Sequence, residues 1–355
     1  MPDFLVRRDD LRTTTVREAD EAPLSDGEAR LRIERFGFTA NNVTYGAFGE
    51  QMGYWRFFPA EDGWGRIPVW GFGEVVESQA PGIEQGQRFY GYFPMSSQVT
   101  MRPHAGPGGF TDSAEHRADL PATYNRYSAA TPAAGFAPEH DAANAVMRPL
   151  FMTGWLIAQH LAPGGAEPVA LASASSKTAY ATAYALNQLE DAPPVIGLTS
   201  DRNAEFVRSL GFYDTVLTYD ETDQLPRGEP LRYVDMAGTP DLRRAVHEHL
   251  ADDLRASIIV GATHWDDASL DTGDAPLPGP QPEFFFAPAV AEKLAAELGG
   301  AELQRLIGAD WLTFLEPLGG ILEVEEHQGP EAVERVYRSF LDGTADPRKG
   351  HVLNL

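Results

Sequence analysis

The sequence predicts an α/β protein in which a doubly wound parallel sheet is combined with a β-rich domain. Three observations predict it. Short apolar runs alternate with helical stretches from about residue 148 to residue 286. Residues 1–147 carry strand-like segments of period two, broken by glycine. Residues 287–355 end in further strand-like segments, so we expect this tail to return and complete the first domain.

Alternation of apolar and polar residues marks the strands of the β-rich domain. It is clearest at residues 29–36, 73–77 and 86–93, and it indicates a small antiparallel barrel or sandwich. Residues 103–145 are rich in Ala, Pro, Gly and His and show no periodicity. They are therefore expected to form a long irregular excursion, of the kind that often serves as a lid.

Continuous apolar runs mark the strands of the middle domain. They lie at residues 168–172, 194–199, 216–218, 231–236 and 256–261, with helices such as 177–189 and 241–250 between them. Strands of this kind are buried on both faces, as in a parallel sheet covered by helices. In the tail we expect helices at 292–298, 302–315 and 330–341 and strands at 320–324 and 352–355.

Composition excludes several classes of function. The net charge of −24 opposes binding to nucleic acid and to anionic membranes. Because the chain has no cysteine, disulfides, thiolate nucleophiles and cysteine-ligated zinc are excluded. No basic leader and no apolar run long enough to span a membrane is evident, so a cytoplasmic location is expected.

The turn after the first strand of the middle domain is the expected phosphate site. Parallel sheets bind ligands at the carboxyl ends of their strands, where backbone N–H groups and a helix dipole meet a pyrophosphate. The turn offers hydroxyl groups and one ammonium group in place of glycines: Ser173, Ser175, Ser176, Lys177 and Thr178. The alternative is a helix N-cap at Ser175 or Ser176 without a ligand.

The ends of the later strands add candidate cofactor contacts. After the second strand, the side chains of Thr199, Ser200, Arg202 and Asn203 favour a 2′-phosphate and hence NADP(H). An acidic residue at this strand end would instead bind the ribose diol, so Asp201 argues against NADP(H), and a simple helix cap with a surface arginine is the other alternative. Small residues follow the fourth strand at Ala237 and Gly238 and the fifth at Gly261 and Ala262. His264 is either a proton donor near the nicotinamide or a residue packed against Trp265.

The chain resembles the medium-chain dehydrogenase/reductase superfamily, near its zinc-free quinone and enone reductases. The resemblance covers nearly the whole chain and is closest to a bacterial branch of unknown function. The segments that carry it are residues 27–32, 38–45, 67–76, 86–91, 150–155, 209–212 and 217–219. It implies a Rossmann domain and a GroES-like domain, with Thr153 and Tyr219 as further cofactor contacts.

Two departures from that family stand out. The Gly-rich phosphate turn is replaced by Ser173 to Lys177, and the Gly-His-Glu stretch of the zinc enzymes is replaced by residues 70–73. The resemblance therefore implies an oxidoreductase with no metal site, acting on a small carbonyl, enone or quinone, and by family habit a homodimer. Asn42, Tyr45, Tyr124 and Asn125 are the candidates for holding the acceptor carbonyl.

Two other functions stay open from the sequence. The fold could carry carbon–carbon bond cleavage or hydrolysis without nicotinamide, with Lys177 or His264 reused for that chemistry. It could also belong to a non-catalytic NADP-binding protein.

Overall fold

A computed structural model describes residues 2–18, 22–260 and 276–355 of the chain. Its strands are β1 (Pro2–Arg7), β2 (Thr14–Glu18), β3 (Ala29–Phe38), β4 (Trp64–Gly65), β5 (Pro68–Ser78), β6 (Arg88–Pro94), β7 (Gln98–Met101), β8 (Pro103–Gly106), β9 (Gly109–Asp112), β10 (Arg126–Ala129), β11 (Val169–Ala172), β12 (Val195–Thr199), β13 (Thr215–Thr218), β14 (Leu231–Asp235), β15 (Leu254–Ile259), β16 (Glu283–Phe284), β17 (Glu323–Gln328) and β18 (Lys349–Asn354). Its α-helices are α1 (Ala40–Ala47), α2 (Asp141–Val146), α3 (Arg148–Leu161), α4 (Lys177–Leu186), α5 (Ala204–Ser209), α6 (Pro240–Leu250), α7 (Ala287–Leu298), α8 (Gly300–Leu318) and α9 (Pro330–Leu341).

The chain divides into two compact units. The first unit comprises Met1–Pro149 and Leu322–Leu355, and the second comprises Leu150–Ile321. The tail thus returns to the first unit, but from a later point than the expected residue 287. Helices α7 and α8 belong to the second unit, where Trp155 of α3 donates its indole N–H to Asp310 of α8 at 2.7 Å.

The first unit is built on antiparallel pairing around β3. Its larger sheet has the order β17-β18-β3-β5-β6-β10-β9-β8, with β7 pairing the start of β3, and a smaller sheet has the order β2-β1-β4. Strands β3 and β5 approach closely at Gly71, where a Cβ atom would lie 2.2 Å from the backbone oxygen of Arg35. Glycine is required there because any side chain would collide with the neighbouring strand.

Two stretches of the first unit differ from the sequence-based expectation. The excursion at 103–145 contains a hairpin, β8–β9, and the strand β10, which joins the large sheet through β6. These strands are four residues long, too short to show a period. The strand expected at 320–324 runs instead from Glu323 to Gln328 and is polar, because it lies at the sheet edge.

The second unit contains the predicted parallel sheet. Its order is β13-β12-β11-β14-β15-β16, and every neighbouring pair is parallel. The central strands β11, β12 and β14 are buried along their whole length, as continuous apolar runs predict. Among the described residues, no helix is long and apolar enough to cross a membrane.

Candidate functional site

The turn between β11 and α4 contains no glycine but includes a residue with a left-handed backbone conformation. Ser173 adopts φ 54°, in the left-handed region that glycine favours. Its carbonyl accepts the Ser176 N–H at 2.7 Å, and Ser176 caps α4 by accepting the Ala179 N–H at 3.3 Å. The N-cap that the sequence suggested is therefore present, and it leaves the amino end of α4 at the carboxyl edge of the sheet.

Two hydrogen bonds hold this turn in place beside the neighbouring strand. The Tyr213 hydroxyl donates to the Ala174 carbonyl at 2.8 Å, and the Ala174 N–H donates to the Leu198 carbonyl of β12 at 3.0 Å. Gly197 makes room for the contact, since a Cβ atom there would lie 2.9 Å from the Tyr213 ring. Tyr213 was missed in the sequence, where it is one aromatic residue among many.

The second candidate turn is joined to the first by a direct hydrogen bond. Asn203 donates its side-chain amide to the Ser175 hydroxyl at 3.1 Å, so the turns after β11 and β12 are held together. Thr199 is fully buried at the end of β12, and its hydroxyl has no hydrogen-bond partner within the described residues. Ser200 is half-buried and Arg202 is exposed. These side chains thus share one edge of the sheet with the serines.

Tyr219, which follows β13, reaches the same edge. Burial raises its pKa to about 12, and hydrogen bonding to Ser173 opposes that rise. Its ring packs against the core of the second unit. Residues that follow three neighbouring strands, β11, β12 and β13, therefore lie at one edge of the sheet, as parallel pairing of these strands requires.

A buried ion pair shapes the turn after β14. Asp235 accepts the N–H groups of Ala237 and Gly238 at 3.0 and 2.9 Å, and Arg243 of α6 donates to its other oxygen at 2.9 Å. Burial raises the Asp235 pKa and Arg243 opposes that rise. The small residues predicted here lie in a turn that is fixed by Asp235, a residue the sequence analysis did not single out.

The other residues predicted to contact the cofactor are less closely grouped than those described above. Lys177 is buried at the first position of α4, and the Thr178 carbonyl accepts the Thr182 hydroxyl at 2.8 Å. Thr153 is half-buried on α3, next to Gly154, where a Cβ atom would lie 2.7 Å from the Thr182 nitrogen. Gly261, Ala262 and His264 lie outside the described residues.

In the first unit, the two predicted tyrosines belong to one aromatic cluster. Tyr45 of α1 and Tyr124 contact the same two rings: Tyr54 at 4.5 and 6.1 Å, and Tyr92 at 5.6 and 4.7 Å. Trp70 lies 5.2 Å from Tyr92. Within the described residues the Tyr92 hydroxyl and the Trp70 indole N–H have no hydrogen-bond partner. Buried polar atoms of this kind are costly unless something pairs with them.

The two asparagines predicted to hold the acceptor carbonyl form hydrogen bonds with other groups of the protein. Asn42 accepts the Thr39 N–H at 2.8 Å and donates to the Pro68 carbonyl at 3.0 Å, so it fixes the start of α1. Asn125 donates to the Arg117 carbonyl at 3.2 Å, while its side-chain oxygen has no partner in the part of the chain described. Asn42 therefore fixes the helix that carries Tyr45, and Asn125 keeps its side-chain oxygen available as a hydrogen-bond acceptor.

A cavity of about 270 Å³ lies elsewhere in the first unit. Charged side chains that line it form salt bridges with one another. Arg66 pairs with Asp3 at 2.6 Å, and Arg117 pairs with Asp112 at 3.2 Å. Of the described residues that line it, none was predicted as a site residue.

Solved structures share this fold over the full chain. CurA from Vibrio vulnificus in complex with NADPH matches with a TM-score of 0.65 at 12% identity, covering 100% of this chain and 99% of that one. The yhdH oxidoreductase from Salmonella enterica in complex with NADP gives 0.57 at 13% identity, with both chains covered to 100%. A mutant enoyl thioester reductase from Candida tropicalis gives 0.60 at 12% identity, covering 100% and 99%.

The predicted fold class is confirmed: the chain has a Rossmann sheet and a GroES-like β-rich unit, the fold that it shares with these structures. The chain belongs to the family described as "Protein of unknown function (DUF2855)", whose model matches residues 36–346. No curated protein matches it.

Proposed function

We propose that the protein is an NADP(H)-dependent oxidoreductase that transfers hydride between nicotinamide and a small carbonyl, enone or quinone acceptor, with no metal in that step. The observation that carries the proposal is the edge of the parallel sheet where Asn203 joins the β11 and β12 turns through Ser175. Several solved structures of the same fold hold NADPH or NADP.

The residues at this edge fit an NADP phosphate. Ser173 has the backbone conformation that lets a turn pass close to a pyrophosphate, and Ser175 and Ser176 add hydroxyl groups beside the amino end of α4. The buried Thr199 hydroxyl lacks a partner among the described residues. Arg202 and Asn203 are the groups that would hold a 2′-phosphate, and Lys177 adds positive charge at the turn.

The tyrosine cluster of the first unit is the proposed acceptor site. When bound, NADPH supplies a hydride from its nicotinamide ring. The residues then need to hold the acceptor carbonyl and stabilise the charge that develops on its oxygen. Tyr45 and Tyr124 carry hydroxyl groups, and the Trp70 indole N–H is a further donor in the same cluster. Burial raises the pKa of the Tyr45 hydroxyl, so it stays protonated and able to donate.

Thermal unfolding with and without nucleotide tests the cofactor proposal. At 100 times its dissociation constant a ligand adds about 2.7 kcal/mol, so NADPH should raise Tm by several degrees, and NADH should raise it less. Asn203→Ala should weaken NADPH binding by up to about tenfold, the value of one hydrogen bond. Equal shifts with both nucleotides would remove the NADP preference, and no shift with either would refute the proposal.

Asn187→Ala is the matched control. Asn187 likewise donates a hydrogen bond from its side-chain amide, but to the Phe212 backbone carbonyl at 3.0 Å and at the carboxyl end of α4. Its substitution should change Tm without changing the NADPH dissociation constant.

Turnover separates this function from the two alternatives. NADPH consumption with a panel of quinones, enones and aldehydes supports hydride transfer. Substrate turnover without nucleotide would indicate a cofactor-independent lyase or hydrolase instead. Binding of NADPH without oxidation across the panel would indicate a non-catalytic binding protein.

A further inference from the structure

Three metal-ligating side chains converge at the edge of the large sheet of the first unit. Glu325 and His327 are two residues apart on β17, so their side chains lie on one face. His351 lies directly opposite Glu325 on the parallel strand β18. One donor atom from each residue falls within 4.8 Å of the others. These residues play no part in the proposed hydride transfer.

The spacing of the three donor atoms matches the size of a divalent transition-metal ion. Nε2 of His327 and Nδ1 of His351 are 3.1 Å apart, and each is 3.7 Å from Oε2 of Glu325. The point equidistant from the three atoms lies about 2.0 Å from each. Zn²⁺ binds imidazole nitrogen and carboxylate oxygen at about 2.0–2.2 Å.

Hydrogen bonding among these groups accounts for only part of the arrangement. The two imidazoles can share one N–H···N bond at 3.1 Å, but Oε2 of Glu325 is too far from both nitrogens to accept a hydrogen bond. Lys349 binds the other carboxylate oxygen, Oε1, which leaves Oε2 directed towards the imidazoles.

Neighbouring side chains hold the ligands in place. Lys349 donates a hydrogen bond to Oε1 of Glu325 and so orients the carboxylate. The rings of Phe340 and His351 are nearly perpendicular, with centroids 5.6 Å apart, and this contact restrains the buried imidazole. The side chain of His327 is 22% exposed, so an ion can enter from solvent.

We propose that Glu325, His327 and His351 form a binding site for one divalent first-row transition-metal ion, of which Zn²⁺ and Co²⁺ are representatives. Two imidazoles and one carboxylate suit such ions, and three protein ligands leave a coordination position for water on the exposed side. The bound ion would link β17 to β18, the two strands of the returning tail.

Titration of the chain with Co²⁺ and Zn²⁺ tests the site. The untagged protein is first treated with a chelator, because an affinity tag of histidines would itself bind these metals. We expect calorimetry to show one equivalent of Zn²⁺ bound, and Co²⁺ to give visible absorption bands of a low-coordinate nitrogen and oxygen site. Zn²⁺ should also raise Tm, because it binds the folded state.

The variants His327→Gln and Glu325→Gln each remove one ligand with little change in size. We expect each to weaken Co²⁺ binding by about 100-fold or more and to abolish the visible bands. His104→Gln, a substitution of an exposed histidine on β8, is the control and should leave the affinity unchanged. Circular dichroism checks that each variant is folded. Two ligand variants are used so that the test still works if one of them does not fold.

Either of two results would overturn the site: no stoichiometric metal binding by the wild-type chain, or equal affinity in the wild type and in both folded ligand variants. Neither result depends on nicotinamide chemistry, so the metal site and the proposed oxidoreductase activity can fail separately.

Discussion

Replacing Arg243 by methionine should strongly destabilise the second unit, because it leaves a buried carboxylate without its cation. Asp235 is fully buried and Arg243 is 1% exposed, so water cannot replace the lost partner. Removing one member of such a pair costs about 3–5 kcal/mol. The two backbone N–H groups of Ala237 and Gly238 remain on the carboxylate and keep the loss towards the lower end of that range.

The loss should depend on pH in a defined direction. Burial already raises the folded-state pKa of Asp235, and Arg243 limits that rise. A raised carboxyl pKa gives stability that is present below the unfolded pKa and is lost as pH rises through the folded one. Without Arg243 the rise is larger, so the variant should be closest to the wild type under acidic conditions and should fall further behind it as pH approaches neutrality.

Urea unfolding at pH 5 and pH 8 measures this difference. Arg244→Met is the control, since it makes the same change at the adjacent, half-buried position of α6. A loss below about 1 kcal/mol at pH 8, comparable with the loss in the control, would refute the reasoning. So would a loss that is equal at the two pH values, because the charge of Asp235 would then not be its cause.

Two further predictions concern the two proposed binding regions. Tyr45→Phe should lower turnover by about tenfold or more if its hydroxyl donates to the developing enolate, with the fold intact by circular dichroism, and unchanged kinetics would remove Tyr45 from the mechanism. Ser173→Gly should be more stable in urea than Ser173→Ala by about 1 kcal/mol, because both lose the side chain bonded to Tyr219 but only glycine accepts φ 54° without strain. Equal stabilities would show that the turn relaxes when its side chain is removed.

The sequence predicted the parallel sheet well because its strands are buried on both faces. Residues 195–199 carry no charged side chain, and residues 231–235 are mainly apolar apart from Arg232 and Asp235. Each strand appears in the structure within about one or two residues of its predicted place. The alternation of strands and helices implies parallel pairing, which places the carboxyl ends of the strands, with Ser173, Asn203 and Tyr219, at one edge.

The parts that the sequence did not predict are those that depend on distant partners. The strand β17 is polar and lies at a sheet edge, where backbone pairing with β18 rather than burial determines its position, so no period reveals it. The grouping of Glu325 with His351 follows from that pairing and could not be found without it. Likewise, nothing local in the sequence tells that the side-chain amide of Asn42 donates to the Pro68 carbonyl, 26 residues away.

The position of β18 in the first unit has a consequence for the order in which the protein folds during synthesis. One edge of the far end of β3 pairs with residues 351–353, so that edge stays unpaired until those residues have been made, whereas the other edge pairs with β5. The second unit, a single uninterrupted segment from Leu150 to Ile321, has all of its own strands by then. Contacts across such long separations form slowly. Ribosome-bound chains that stop before residue 349 should therefore protect the parallel sheet from proteolysis while the end of β3 remains open to cleavage or to pairing with another chain.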